Sequence, residues 1–140
     1  MMKSKIRFTE DMQFIGTADS GHAVVMDAPL SVGGKNTGSK PSELLLMAFG
    51  GCTGMDVVSI LRKKKQDVTG FEMNVSGETP EKYPKSFTEI HIEYVVRGKN
   101  ISEEAVKHAI ELSMEKYCLV GATIGKAAKI THSHKVIQES

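Results

Sequence analysis

From Leu44 to Leu61 the chain is almost continuously apolar, and Cys52, Thr53, Asp56 and Ser59 are the few polar side chains that interrupt it. Pro41 suits the first turn of a helix, with Ser39 a plausible cap and Glu43 in the first turn, where acids are favoured. The basic run Arg62-Lys63-Lys64-Lys65 complements a helix C-terminus. A helix is therefore predicted from Pro41 to about Lys65. Its length would reach across a bilayer, but Asp56 near its middle would be costly in lipid, and Gly50, Gly51 and Gly54 suit close packing against other elements. The expectation is a buried core helix. A helix this apolar in a chain of 140 residues needs more cover than one subunit supplies, which points to a homodimer.

The rest of the chain reads as strands with one further helix. Lys3–Phe8 and Met12–Thr17 alternate apolar and polar side chains around a polar break, as a hairpin does, and His22–Asp27 reads as a third strand. Ala28–Lys40 is a loop rich in glycine and turn residues. Val68–Gly77 and Phe87–Arg97 are longer strands. Ser102 with Glu103 and Glu104 opens a second helix to about Tyr117, with Val106, Ile110 and Met114 on one side. After Cys118 one or two helical turns are expected, then a closing strand, Lys129–Ile137. The fold class is α+β in a single domain spanning residues 1–140.

Composition narrows the partners. The 18 basic residues nearly balance 17 acidic ones, leaving a net charge of +1, which argues against bulk capture of nucleic acid or acidic lipid. No Trp is present, so stacking platforms for single-stranded nucleic acid are not expected. The first residues, Met1 to Arg7, lack the apolar stretch of a secretory signal. The cytoplasm is therefore the expected location, with no nucleic-acid or membrane partner and both thiols reduced at rest.

Two cysteines carry the chemistry. Cys52 sits mid-helix in Gly50-Gly51-Cys52-Thr53-Gly54, where missing side chains let another group approach the sulfur. A buried inert cysteine fits the same pattern. Asp56, one helical turn on, adds negative charge where a thiolate would form. Cys118 lies where the second helix ends. If it opens a further turn, unpaired amides favour its thiolate; if it closes the helix before it, the helix dipole has the opposite effect. Spacing leaves both open. His132 and His134 share one face of the closing strand, but no third metal ligand accompanies them, so exposed strand histidines are expected and not a metal site.

Pro41-Ser42-Glu43-Leu44-Leu45-Leu46, then Gly50-Gly51-Cys52 on a long helix, then Tyr117-Cys118-Leu119-Val120 after a second helix, resembles the OsmC/Ohr family. The order of elements matches over nearly the whole chain. Gly50 to Asp56, Gly-Gly-Cys-Thr-Gly-Met-Asp, is closest to one OsmC-like branch. The resemblance implies antiparallel sheets wrapped around two central helices in an intertwined homodimer. It implies a thiol-dependent peroxidase acting on small organic hydroperoxides in oxidative-stress defence, with Cys52 peroxidatic and Cys118 resolving, re-reduced by an external dithiol and needing no metal or organic cofactor. Peroxidase members of the family also use an arginine near the thiol and a carboxylate directly after the proline. Here the arginines are Arg7, Arg62 and Arg97, Ser42 holds the carboxylate position, and Glu43 comes one residue late. Lys35, Lys40 and His22 are the candidate replacements for the cation. The alternative expectation is a non-catalytic binder of a small apolar ligand, or a redox sensor, that keeps the fold.

Overall fold

The computed structural model describes residues 1–140. They form two compact units, Met1–Leu45 and Leu46–Ser140. Together they hold six strands and three α-helices, an α+β protein with two sheets.

The first unit is an antiparallel sheet of β1 (Ser4–Glu10), β2 (Gln13–Ala18) and β3 (Ala23–Met26), in that order. Its turns rest on residues that tolerate left-handed backbone: Asp11 at φ 53° between β1 and β2, and Gly21 at φ 86° between β2 and β3. The loop after β3 is organised by Asp27, only 4% exposed. Its carboxylate accepts hydrogen bonds from the amides of Ala28, Lys35 and Thr37 and from the Thr37 hydroxyl. Helix α1 (Pro41–Lys63) begins in this unit. The Glu43 carboxylate accepts from the Lys40 amide at 2.8 Å, so the cap comprises Lys40 and Glu43. Ser39 instead accepts the Asp27 amide on its carbonyl.

In the second unit β4 (Asp67–Glu78), β5 (Glu89–Lys99) and β6 (Lys129–Gln138) lie in that order. The expectation of antiparallel sheets needs one correction. β5 is antiparallel to β4, but β6 runs parallel to β5, Ile90 opposite Ile130 through Gly98 opposite Gln138. A parallel neighbour requires a crossover. Helix α2 (Glu103–Leu112), the turn after it and helix α3 (Leu119–Ile124) provide it.

Period-two alternation along β5 buries Ile90, Ile92, Tyr94 and Val96. They form one core with Phe49, Val57 and Leu61 of α1 and Val106, Ala109 and Ile110 of α2. Each large side chain so buried contributes about 1.5–3 kcal/mol. Glycines set how closely α1 approaches the sheet. A Cβ on Gly54 would stand 2.5 Å from Met73 Cε, and one on Gly50 3.2 Å from Val75 Cγ2. Helix α1 passes the length and apolarity test for a membrane span, yet Phe49, Thr53, Val57 and Leu61 are sealed in this core. Its other face leaves Met47 and Met55 exposed, so within one chain the helix is buried on one side only. Just past its end Lys65 stands at φ 58°, and the amides of Lys65 and Gln66 bond to the carbonyls of Arg62 and Leu61.

Candidate active site

Helix α1 carries Cys52 half-buried, with open space beside Gly51, the residue before it. Cys118 reaches the same place by a different route. At Ser113 helix α2 widens into a π-helical turn, Ser113–Tyr117, whose closing bond runs from the Cys118 amide to the Ser113 carbonyl at 2.8 Å. Such single π turns are frequent where a helix must place a functional group. The chain then turns extended at Cys118 and starts α3, so Cys118 opens a helix. Its sulfur accepts a hydrogen bond from the Gly121 amide at 3.2 Å. A side chain on Gly121 would crowd both that sulfur and Phe49.

Cys52 lies near enough to Cys118 to push the pKa of its thiol up. Cys118 is 3% exposed, and burial pushes its thiol up to about 11. The Gly121 amide opposes this, while Cys52 and the charge of Asp56 add to it. Desolvation therefore outweighs the helix N-terminus, and Cys118 is a protonated thiol at neutral pH.

Behind the cysteines runs a buried chain of hydroxyl groups. Thr53, fully buried, meets the Tyr94 hydroxyl at 2.8 Å and the Ser113 hydroxyl at 2.7 Å. Ser113 donates to Asp56 Oδ2 at 2.9 Å. Each hydroxyl has one proton to give. Ser113 gives its proton to the carboxylate, so Thr53 must donate to Ser113, and Tyr94 must donate to Thr53. The chain has a single direction, from Tyr94 to Asp56. Burial pushes the Tyr94 hydroxyl up to about 12, with Cys118 and Asp56 contributing in the same direction.

The other sequence candidates belong to the first unit. Lys35 Nζ pairs with Asp11 Oδ2 at 3.1 Å, and the Asp11 hydrogen bond raises its pKa. Glu43 caps α1, while His22, Lys40 and Ser42 are exposed. His134, one of the strand histidines, pairs with Glu103 at 3.1 Å. Sequence reasoning noted Asp56 but missed Thr53, Ser113 and Tyr94. One signal was available: Tyr94 falls at an inward position between Ile92 and Val96, and a buried tyrosine hydroxyl needs a partner.

An α+β frame that sets a half-buried thiol from a central helix against a buried one at the start of another helix defines a two-cysteine thiol protein. Residues 34–133 match the family model described as OsmC-like protein. The chain is 40% identical over 139 residues to Protein YhfA of Escherichia coli (strain K12), covering 97% of this chain and 98% of that protein. The chain belongs to the OsmC family. Among solved structures it is similar to a hypothetical protein from Aquifex aeolicus VF5, 31% identical with a TM-score of 0.87, covering 100% of this chain and 98% of that one. The organic hydroperoxide resistance protein OhrB of Bacillus subtilis is 18% identical with a TM-score of 0.62 over 96% of this chain and 98% of its own. That likeness is one of fold.

Proposed function

We propose that the protein is a cytoplasmic, homodimeric thiol peroxidase that reduces small organic hydroperoxides, with Cys52 attacking and Cys118 resolving. The pairing of an accessible thiol with a buried, protonated one supports this reading. The Cys52 thiolate attacks one peroxide oxygen; an S–O bond forms, the O–O bond breaks, and the other oxygen takes a proton and leaves as an alcohol. Cys118 then attacks the sulfenic sulfur. An S–S bond forms, the S–O bond breaks, and the oxygen leaves as water with the Cys118 proton. An external dithiol reduces the disulfide and is itself oxidised. The homodimer is supported by apolar side chains left exposed in each unit: Ile6, Phe8 and Phe14 in the first, Met47, Met55 and Leu119 in the second.

Mass spectrometry after cumene hydroperoxide treatment tests the assignment of roles. The wild type is expected to lose two hydrogens through an intramolecular disulfide. Cys118→Ser should stop at a trappable sulfenic acid on Cys52, and Cys52→Ser should not react. A sulfenic acid on Cys118 in the Cys52→Ser protein would overturn the assignment.

A second reading, a redox sensor or non-catalytic binder of a small apolar ligand, is favoured by the Asp56 charge, which opposes ionisation of Cys118. It predicts peroxide reaction no faster than that of free cysteine.

A further inference from the structure

Helix α1 carries a second row of side chains besides its buried face. Cys52, Asp56, Ser59 and Lys63 follow one another at steps of four, three and four residues, so they share one stripe. Past Cys52 the stripe lines a cleft of about 440 Å³, together with His108 and Leu112 of α2 and Tyr117 of the π turn.

Charge is segregated along this cleft. Asp56 marks one end, where Ser113, the residue after α2, donates to its Oδ2 at 2.9 Å. A carboxylate has about four lone-pair sites, so Asp56 keeps capacity for further donors. Lys63 and Lys64 mark the other end, Lys63 standing seven residues further along α1, about 10 Å away. His108 belongs to their end, because it sits one turn of α2 before Leu112 and lines a neighbouring hollow together with Lys64. Neither lysine pairs with an acid of the chain: the ion pairs are Lys35 with Asp11 and His134 with Glu103. Between the two ends Ile60 and Leu112 give the cleft an apolar stretch.

We propose that the cleft is a binding site for a short zwitterion, such as an ω-amino acid, whose carboxylate meets Lys63, Lys64 and His108 and whose ammonium meets Asp56. The ligand's methylene chain lies along Ile60 and Leu112. A simple carboxylate leaves the Asp56 end unmatched, and a simple amine leaves the lysine end unmatched, so each is the poorer fit. A ligand with negative charge at both ends would bring like charge to Asp56. No bond is made or broken on binding. The site goes beyond the proposed peroxide chemistry and is read on the reduced protein without peroxide, so either can fail alone.

The measurement is a proton–nitrogen NMR titration of the reduced full chain at low ionic strength, where exposed ion pairs are least screened. The probes are 6-aminohexanoate, hexanoate and hexylamine, which share a chain and differ in their ends. 6-Aminohexanoate is expected to give saturable shifts at the amides of Ser59, Ile60 and Leu112. Its dissociation constant should lie roughly two- to fivefold below that of either other probe, which is what one exposed ion pair yields. Asp56→Asn should make 6-aminohexanoate bind no better than hexanoate. Lys63→Gln/Lys64→Gln should weaken both carboxylates without weakening hexylamine. Both lysines are exposed, so this double variant keeps the fold and decides the matter even where Asp56→Asn fails to fold. Three results would overturn the inference: no saturable shift at those amides, equal affinity for the three probes, or undiminished binding of 6-aminohexanoate in the lysine double variant.

Discussion

At the scale of single residues, two buried polar groups hold their surroundings by hydrogen bonds alone. Thr53 is the middle of its chain, and removing its hydroxyl leaves the Tyr94 proton and a Ser113 lone pair without partners in the core. Thr53→Val is therefore expected to lower unfolding stability by about 1–3 kcal/mol, whereas Thr53→Ser, which keeps the oxygen, should recover most of the loss in the same urea titration. Asp27 is the corresponding group in the first unit. Its hydrogen bonds from Thr37, Ala28 and Lys35 lower its pKa to about 2. A carboxylate with a depressed folded pKa stabilises fully above its unfolded pKa, near 3.9, and loses that contribution as pH falls through the folded value. Hydrogen exchange at the Lys35 and Thr37 amides should thus stay protected at pH 5, weaken as pH drops from about 4 towards 2, and be weak throughout in Asp27→Asn. Protection unchanged at pH 2 would show that the loop does not depend on this carboxylate.

At the scale of elements, the long helix organises the second unit, and the prediction follows from its largest fully buried side chain. Phe49 is fully buried and packs against Gly121 beside Cys118. Phe49→Ala should cost about 3–5 kcal/mol in equilibrium unfolding; a loss under 1 kcal/mol would mean the site collapses around the gap. This helix was legible in the sequence because Pro41, the acidic first turn and the basic last turn agree with its apolar run, and it ends at Lys63. The strands were legible from their alternation. The parallel pairing of β6 with β5 was not, since alternation fixes which face a residue occupies but not which neighbour the strand chooses. The π turn at Ser113 escaped for a related reason: one extra residue in a helix leaves no mark on a short amphipathic pattern. The cysteines announced themselves by type and setting. Thr53, Ser113 and Tyr94 did not, because their role comes from meeting across three elements far apart in sequence. The spacing around Cys118 fitted either end of a helix, and only the extended backbone there decides for the start of α3.

At the scale of the whole molecule, helix α1 leaves one face uncovered, which bears on the proposed dimer. Met55, 75% exposed on the uncovered face of α1, is a side chain that a second copy would cover in the proposed dimer. Sedimentation at micromolar concentration is expected to give twice the chain mass of 15.3 kDa, and Met55→Glu should weaken that association; a folded wild-type monomer would show that no dimer forms. The proposed chemistry is the reaction of the cysteine pair with organic hydroperoxides. Its most direct test is rapid mixing of the reduced wild-type protein with tert-butyl hydroperoxide at neutral pH, with an excess of dithiol. Repeated turnover is expected, with peroxide consumed far faster than by the same concentration of free cysteine and disulfide between Cys52 and Cys118 accumulating as the dithiol runs out. Consumption no faster than free cysteine, with both thiols still reduced, would contradict it.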